Sequence, residues 1–290
     1  MHRKVLADPV LSPADIEKVL ATIAIPACPA VAQEALAEVQ KEAPDLRNLG
    51  RIITADPALS AAALKLANSA LYGNSGISSV PKAIERLGTR TLVCAIISVA
   101  LRSSIDDAPG EEMELFWNRV LLTATASALI ARRNVGISPD VAYTYALFHD
   151  AGIPLMLKRY PEYASLLRQA RETGASLVQA ERAYFPCSHP VIGMLLVRNW
   201  GLPPVLAQAV RFHHEPDAFD LPPTTLPGEC QALIAVTMVA EHLIDEVQAD
   251  TAIEVSDALL PKALDCLSIG DRELDDLRDR IEASLGQGDY

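Results

Sequence analysis

The sequence predicts an all-α fold, and three observations carry that reading. Apolar residues recur with a helical period along nearly the whole chain, Pro and Gly punctuate the ends of the periodic runs, and Thr251–Val255 is the one weak strand signal. Half of the 290 residues are apolar but only 5% are aromatic, the apolar mass being Ala, Leu, Val and Ile. That composition excludes a disordered chain and a disulfide-dense miniprotein. A chain of this length buries about 75% of its unfolded surface and needs no covalent or metal staple to fold.

Helices are predicted at 13–24, 29–43, 46–54, 57–70, 81–104, 112–134, 139–149, 162–173, 176–184, 189–199, 203–213, 229–247 and 271–285. Ser12-Pro13, Asp56-Pro57 and Ser138-Pro139 each set a capping oxygen before a proline at the first helical position, where the missing N–H costs nothing. Gly73, Gly136, Gly174 and Gly201 stand where helices stop, a position that favours a left-handed residue. Two segments break the pattern, Asp106–Gly110 and the stretch 215–229 with its four prolines. They divide the chain into a bundle over 15–105, a second over 111–214, a connector over 215–229 and a helical appendix over 230–290. The two bundles are expected to pack as one unit. No internal repeat is visible.

Charge narrows the partners. Of the formal −12, residues 241–290 hold fourteen acidic and four basic side chains, so the rest of the chain is close to neutral. No basic patch large enough to neutralise several phosphates appears, which argues against direct nucleic-acid binding. The acidic tail carries Leu274, Leu277, Ile281 and Leu285 at helical spacing and reads as an amphipathic helix with a solvated face. The cysteines (Cys28, Cys94, Cys187, Cys230, Cys266) are odd in number and form no C-x-x-C pair, so free thiols in a reducing compartment are expected. The longest apolar run, Leu92–Leu101, is too short to span a bilayer, and the amino terminus lacks a signal-peptide core. A cytoplasmic protein without membrane contact is expected.

Histidines are the chemical lead. Four of the six lie in the second bundle, namely His149, His189, His213 and His214. Adjacent residues diverge by about 100° on a regular helix, so His149 and Asp150 converge on one ligand only where the helix ends. Gly152 and Pro154 suggest that it ends there. Imidazoles plus a carboxylate suit a borderline divalent metal. From spacing alone, a hydrogen bond tying helices together, with the other histidines half-exposed, is the better account of the pair, since ligand-type residues without a tight motif are often structural. There is no Gly-rich phosphate loop, nucleophile elbow or cysteine cluster, and Trp117 and Trp200 read as packing residues.

Several runs in residues 15–214 match a known pattern in order: Ile25-Pro26-Ala27-Cys28-Pro29-Ala30-Val31 for LPxLPxV, and Ile53–Leu59 with Asp56-Pro57 for I-x-x-DPxL. Leu66–Gly73, containing Asn68, Ser69, Tyr72 and Gly73, follows for ANSAxYG, and Ala83–Gly88 for AIxxLG. Leu147–Gly152 stands in place of LLHDIG, followed by Trp200-Gly201-Leu202-Pro203 and Ala209–Pro216. On these residues the chain resembles the HDOD family, a non-catalytic relative of the HD and HD-GYP phosphohydrolases. Read physically, Asp56 caps a helix that Pro57 starts, and Asn68–Gly73 forms a turn.

The resemblance implies a signalling output module acting through a protein partner, with a vestigial pocket of Arg119, His149, Asp150, His189, His213 and His214. Catalytic relatives place a histidine where Arg119 stands here, and a final carboxylate that falls near Glu241. The Gly-Tyr-Pro element is replaced by Pro216-Asp217-Ala218-Phe219. A guanidinium has no lone pair and puts a positive charge beside any cation, worth about 4 kcal/mol at 4 Å and an effective dielectric of 20. Arg119 is therefore expected to pair with Asp150 and fill the site, so that no cofactor is expected beyond weak divalent-metal binding. The alternative is a metal-dependent phosphodiesterase or phosphohydrolase acting on nucleotides or cyclic dinucleotides.

Overall fold

Helix punctuation sets the architecture. The computed structural model describes residues 19, 21–39, 41–68, 76–105, 111–133, 136–247 and 259–285. Ser12-Pro13, Ser69, Tyr72, Gly73 and the 251–255 segment lie outside them. All regular elements among the described residues are helical.

The first half comprises α1 (Ala30–Val39), α2 (Leu46–Ala55), α3 (Pro57–Asn68) and α4 (Val80–Ile105). Asp45 caps α2 through Arg47 N–H, and Asp56 caps α3, its Oδ1 accepting from Ala58 and Leu59 N–H at 2.8 and 3.2 Å. Asn68 closes the loop after α3 in both directions. Its amide donates to the Ile77 carbonyl at 2.8 Å and its oxygen accepts from Ile77 N–H at 2.6 Å. Glu38, buried at the end of α1, gathers Lys41, Asp45 N–H and Asn48 and so fixes α1 against α2. The long helix α4 packs on α1, α2 and α3. It is not regular, because Gly88 breaks it at φ 70°, ψ 174°, a backbone state essentially reserved for glycine. The glycine of the A-I-x-x-L-G stretch is thus a kink that redirects the chain into the apolar run 91–101.

The second half contains α5 (Glu111–Ala131), α6 (Pro139–Phe148), α7 (Gly152–Arg159), α8 (Tyr163–Thr173), α9 (Leu177–Tyr184), α10 (His189–Asn199) and α11 (Pro204–Phe212). Beyond the connector come α12 (Gly228–Val247), α13 (Leu260–Leu267) and α14 (Asp271–Leu285). Three acidic residues open α5, where they favour the positive end of the helix dipole. Helix α5 packs between α6 and α12, while α4 meets α6, so one continuous apolar core runs through both halves. Trp200 adds a clamp, its indole N–H donating to the Pro26 carbonyl at 3.1 Å and its ring meeting Phe148 edge-on.

Several local expectations change. The chain does not leave helical structure after His149; it breaks for one turn and resumes as α7, with Pro154 in the first turn where its lacking N–H is harmless. Helix α13 was unpredicted. Ser138 precedes Pro139 but its hydroxyl makes no cap bond. Four cysteines are buried, and Cys266 is exposed. Helix α14 is amphipathic as predicted, burying Leu277 and Ile281 toward α12 while Glu273 and Asp276 engage Arg133. No described helix is long and apolar enough to cross a membrane.

Candidate functional site

The site forms where α6 ends. Three residues of non-repeating turn, His149 to Ala151, let two adjacent side chains point into one space. Gly152 then brings α7 against the start of α10. A Cβ there would lie 2.1 Å from the His189 carbonyl oxygen and 2.8 Å from its Cα, so only glycine permits the approach that sets His189 beside Asp150. His213 and His214 arrive from the end of α11, and Glu241 and Asp245 from α12, one helical turn apart.

Asp150 is the centre. Its Oδ2 lies 3.2 Å from His149 Nε2, while its Oδ1 lies 3.3 Å from His189 Nε2 and 3.2 Å from His213 Nε2. Each of those imidazoles is held from behind through Nδ1. His149 donates to the Ala146 carbonyl at 2.6 Å, His213 to the Val210 carbonyl at 2.6 Å, and His189 to the Glu181 carboxylate at 2.9 Å. Glu181, fully buried, also accepts from His189 N–H and the Tyr163 hydroxyl. An acceptor on Nδ1 fixes the tautomer that leaves Nε2 free as a ligand, the arrangement that orients metal-binding histidines.

Donor atoms from Asp150, His189, His213 and His214 all lie within 4.8 Å of one another, and those of His149, Asp150 and Glu241 form a second such group. The residues present therefore fit a divalent cation in the first group, with Asp150 shared between the two. Proton energetics agree. Burial opposes charge on His149, but Asp150 and Glu241 outweigh it and hold the imidazole well above its usual range. Burial likewise opposes charge on His189, yet Glu181 and Asp150 raise it to about 10. Burial and neighbouring His214 push His213 down to about 3, so it is neutral. Burial would raise Asp150, but His149 and the other imidazoles hold it well below the carboxylate range. Without a cation, protons on the imidazoles neutralise the buried carboxylates; a cation would take their place.

The expected Arg119–Asp150 pair does not form. Arg119 is 3% exposed and its Nη1 lies 2.6 Å from Asp245 Oδ1, on a residue 28% exposed. The reason is position: Arg119 projects from α5 toward α12, which packs on α5, and meets the carboxylate one turn beyond Glu241. Sequence reasoning found His149, Asp150, His189, His213 and His214, which the structure brings together. It missed Glu181, Asp245 and the pocket-lining Tyr145 and His242, the last of which lies 3.6 Å from Glu246. Glu181 left one trace, an acid on the apolar face that Leu177 and Val178 define. Glu215, in the H-H-E-P run, is buried and bonded by Arg182 and Arg211.

The family model for the HDOD domain matches residues 25–216. The chain belongs to the HDOD family. Among solved structures, this HDOD protein is similar to one from Shewanella amazonensis SB2B provisionally named a phosphohydrolase. There the TM-score is 0.71 and identity 24%, over 95% of this chain and 96% of the other. It is also similar to an HDOD domain protein of unknown function from Geobacter sulfurreducens, with TM-score 0.69 and 22% identity over 95% and 89% of the chains. At these identities the likeness establishes the fold. An uncharacterized protein of Treponema pallidum (strain Nichols) is 29% identical over 235 residues, and the match spans 76% of this chain but 42% of that relative's length.

Proposed function

We propose that this HDOD protein is a regulatory module of a signalling pathway, acting through contact with a protein partner, whose HD-like pocket binds one divalent cation rather than turning over phosphoesters. One observation carries the reading, the ion pair between buried Arg119 and half-buried Asp245. Two-metal hydrolysis needs two cations about 3.5–4 Å apart to serve the attacking and leaving oxygens. The four-donor group can supply one. The other half offers His149, a share of Asp150 and partly exposed Glu241, while the next carboxylate, Asp245, is already neutralised by a guanidinium. When bound, a cation would supply a Lewis-acidic point for an oxygen-bearing ligand; His189 and His213 would hold it, and Glu181 would hold His189. The partner reading rests on family membership.

The test is turnover. The full chain, loaded with Mn²⁺, Mg²⁺ or Fe²⁺, is offered nucleotides and cyclic dinucleotides, and no hydrolysis above the metal-free control is expected. A second reading, hydrolysis, draws on the way Asp150 bridges both donor groups. Turnover that disappears in His149→Ala would establish that reading and end the first.

A further inference from the structure

Two adjacent residues of α9 reach two arms of the four-donor group. Neighbouring side chains on a helix diverge by about 100°, so Glu181 and Arg182 meet different elements. Glu181 lies on the buried face with Leu177 and Val178 and turns to α10, where both of its oxygens engage His189. Arg182 turns to the end of α11. Its Nη2 donates to Glu215 Oε1 at 2.8 Å, and Arg211 donates to the same oxygen at 2.9 Å. Glu215 is buried and directly follows His214, and its N–H closes the turn on the Phe212 carbonyl at 3.0 Å. One short helix thus holds His189 and also the turn that carries His213 and His214.

The seat of α9 is set by the same bonds. A helix of eight residues has little stability of its own, so tertiary contacts decide where it lies. Tyr163 of α8 donates its hydroxyl to Glu181 from the far side of His189. It is fully buried, and its ring meets edge-on that of Phe185, the residue that ends α9. Tyr163, Glu181, His189 and Asp150 therefore form an unbroken polar line from α8 into the site.

We propose that α9 is the positioning element of the cation site. Tyr163 acts through Glu181 to place His189, Arg182 acts through Glu215 to place His213 and His214, and the seating of α9 is coupled to cation occupancy. Such coupling is reciprocal: whatever unseats α9 loosens the cation, and a bound cation holds α9. The inference rests on the cation-binding part of the reading above and not on the partner.

Mn²⁺ is titrated calorimetrically into the full chain. Tyr163→Phe and Arg182→Gln should each weaken binding about threefold or more, short of the 10–100-fold expected for a group that touches a ligating histidine. Each loss should vanish where its relay is already gone. Tyr163→Phe should add nothing in a Glu181→Gln background, and Arg182→Gln nothing in Glu215→Gln, a pattern that a general loss of stability does not give. Arg133→Gln, which breaks ion pairs to Glu273 and Asp276 on α14, should leave Mn²⁺ binding unchanged. Hydrogen exchange at the amides of α9 should slow when Mn²⁺ is added, and urea unfolding checks that every variant is folded. A parent chain that binds no Mn²⁺ overturns the reading above and this inference with it. Binding by the parent that either single variant leaves unchanged, losses that add in the double variants, or unaltered exchange in α9 would overturn this inference alone.

Discussion

Replacing Gly152 by alanine tests how tightly the candidate site is assembled. Gly152 has no positive φ, and it begins a helix, so by propensity alone alanine would stabilise α7 by up to about 1 kcal/mol. The structure predicts the opposite sign. A methyl carbon would stand 2.1 Å from the His189 carbonyl oxygen, and that backbone must recede by about 0.9 Å to reach the 3.0 Å at which real contacts begin. Backbone at a helix start cannot rotate away as a side chain can, so an overpacking cost toward the upper end of about 1–3 kcal/mol is expected. The same shift moves His189 Nε2, already 3.3 Å from Asp150, out of the donor group. Urea unfolding should show a lower midpoint with unchanged slope, and Mn²⁺ titration should show weaker binding. A variant as stable as the parent, binding Mn²⁺ equally well, would refute the tight approach of α7 to α10.

Three other outcomes follow from the same geometry. Glu181→Gln removes the charge behind His189 and should weaken cation binding about 10–100-fold, as loss of an outer partner usually does, with the helical spectrum retained. Cation uptake should release protons, since His189 at about 10 must give up its own; calorimetry in buffers of differing ionisation heat should show this, with affinity falling as pH drops. Glu38 is held down to about 2 from 4.5, chiefly by Lys41, Asp45 N–H and Asn48. Its contribution is therefore complete above pH 4.5 and lost as pH falls through 2, so Glu38→Gln should lower the melting temperature at pH 7 by more than at pH 2.5.

Much of this was written locally in the chain. Helix starts at Asp56-Pro57 and the left-handed ends at Gly136, Gly174 and Gly201 follow from backbone chemistry that needs no tertiary context. The histidines of the site were visible because imidazoles are rare here and fall at helix ends. What escaped depends on packing. Helix α7 was hidden because Gly152 and Pro154 read as a stop, whereas glycine serves a close approach and proline sits where helices accept it. Glu181 lies on no motif, and its task appears only once α9 meets α10. The partner of Arg119 could not be read either, since Glu241 and Asp245 are one turn apart and only the docking of α12 on α5 selects the second.

The most direct measurement is a crystal structure of the full chain grown with Mn²⁺, with anomalous density to count the ions. A single ion held by Asp150, His189, His213 and His214, with Arg119 still on Asp245, is the predicted result. A bridged pair of ions with Arg119 displaced from Asp245, or no ion at all, would contradict it.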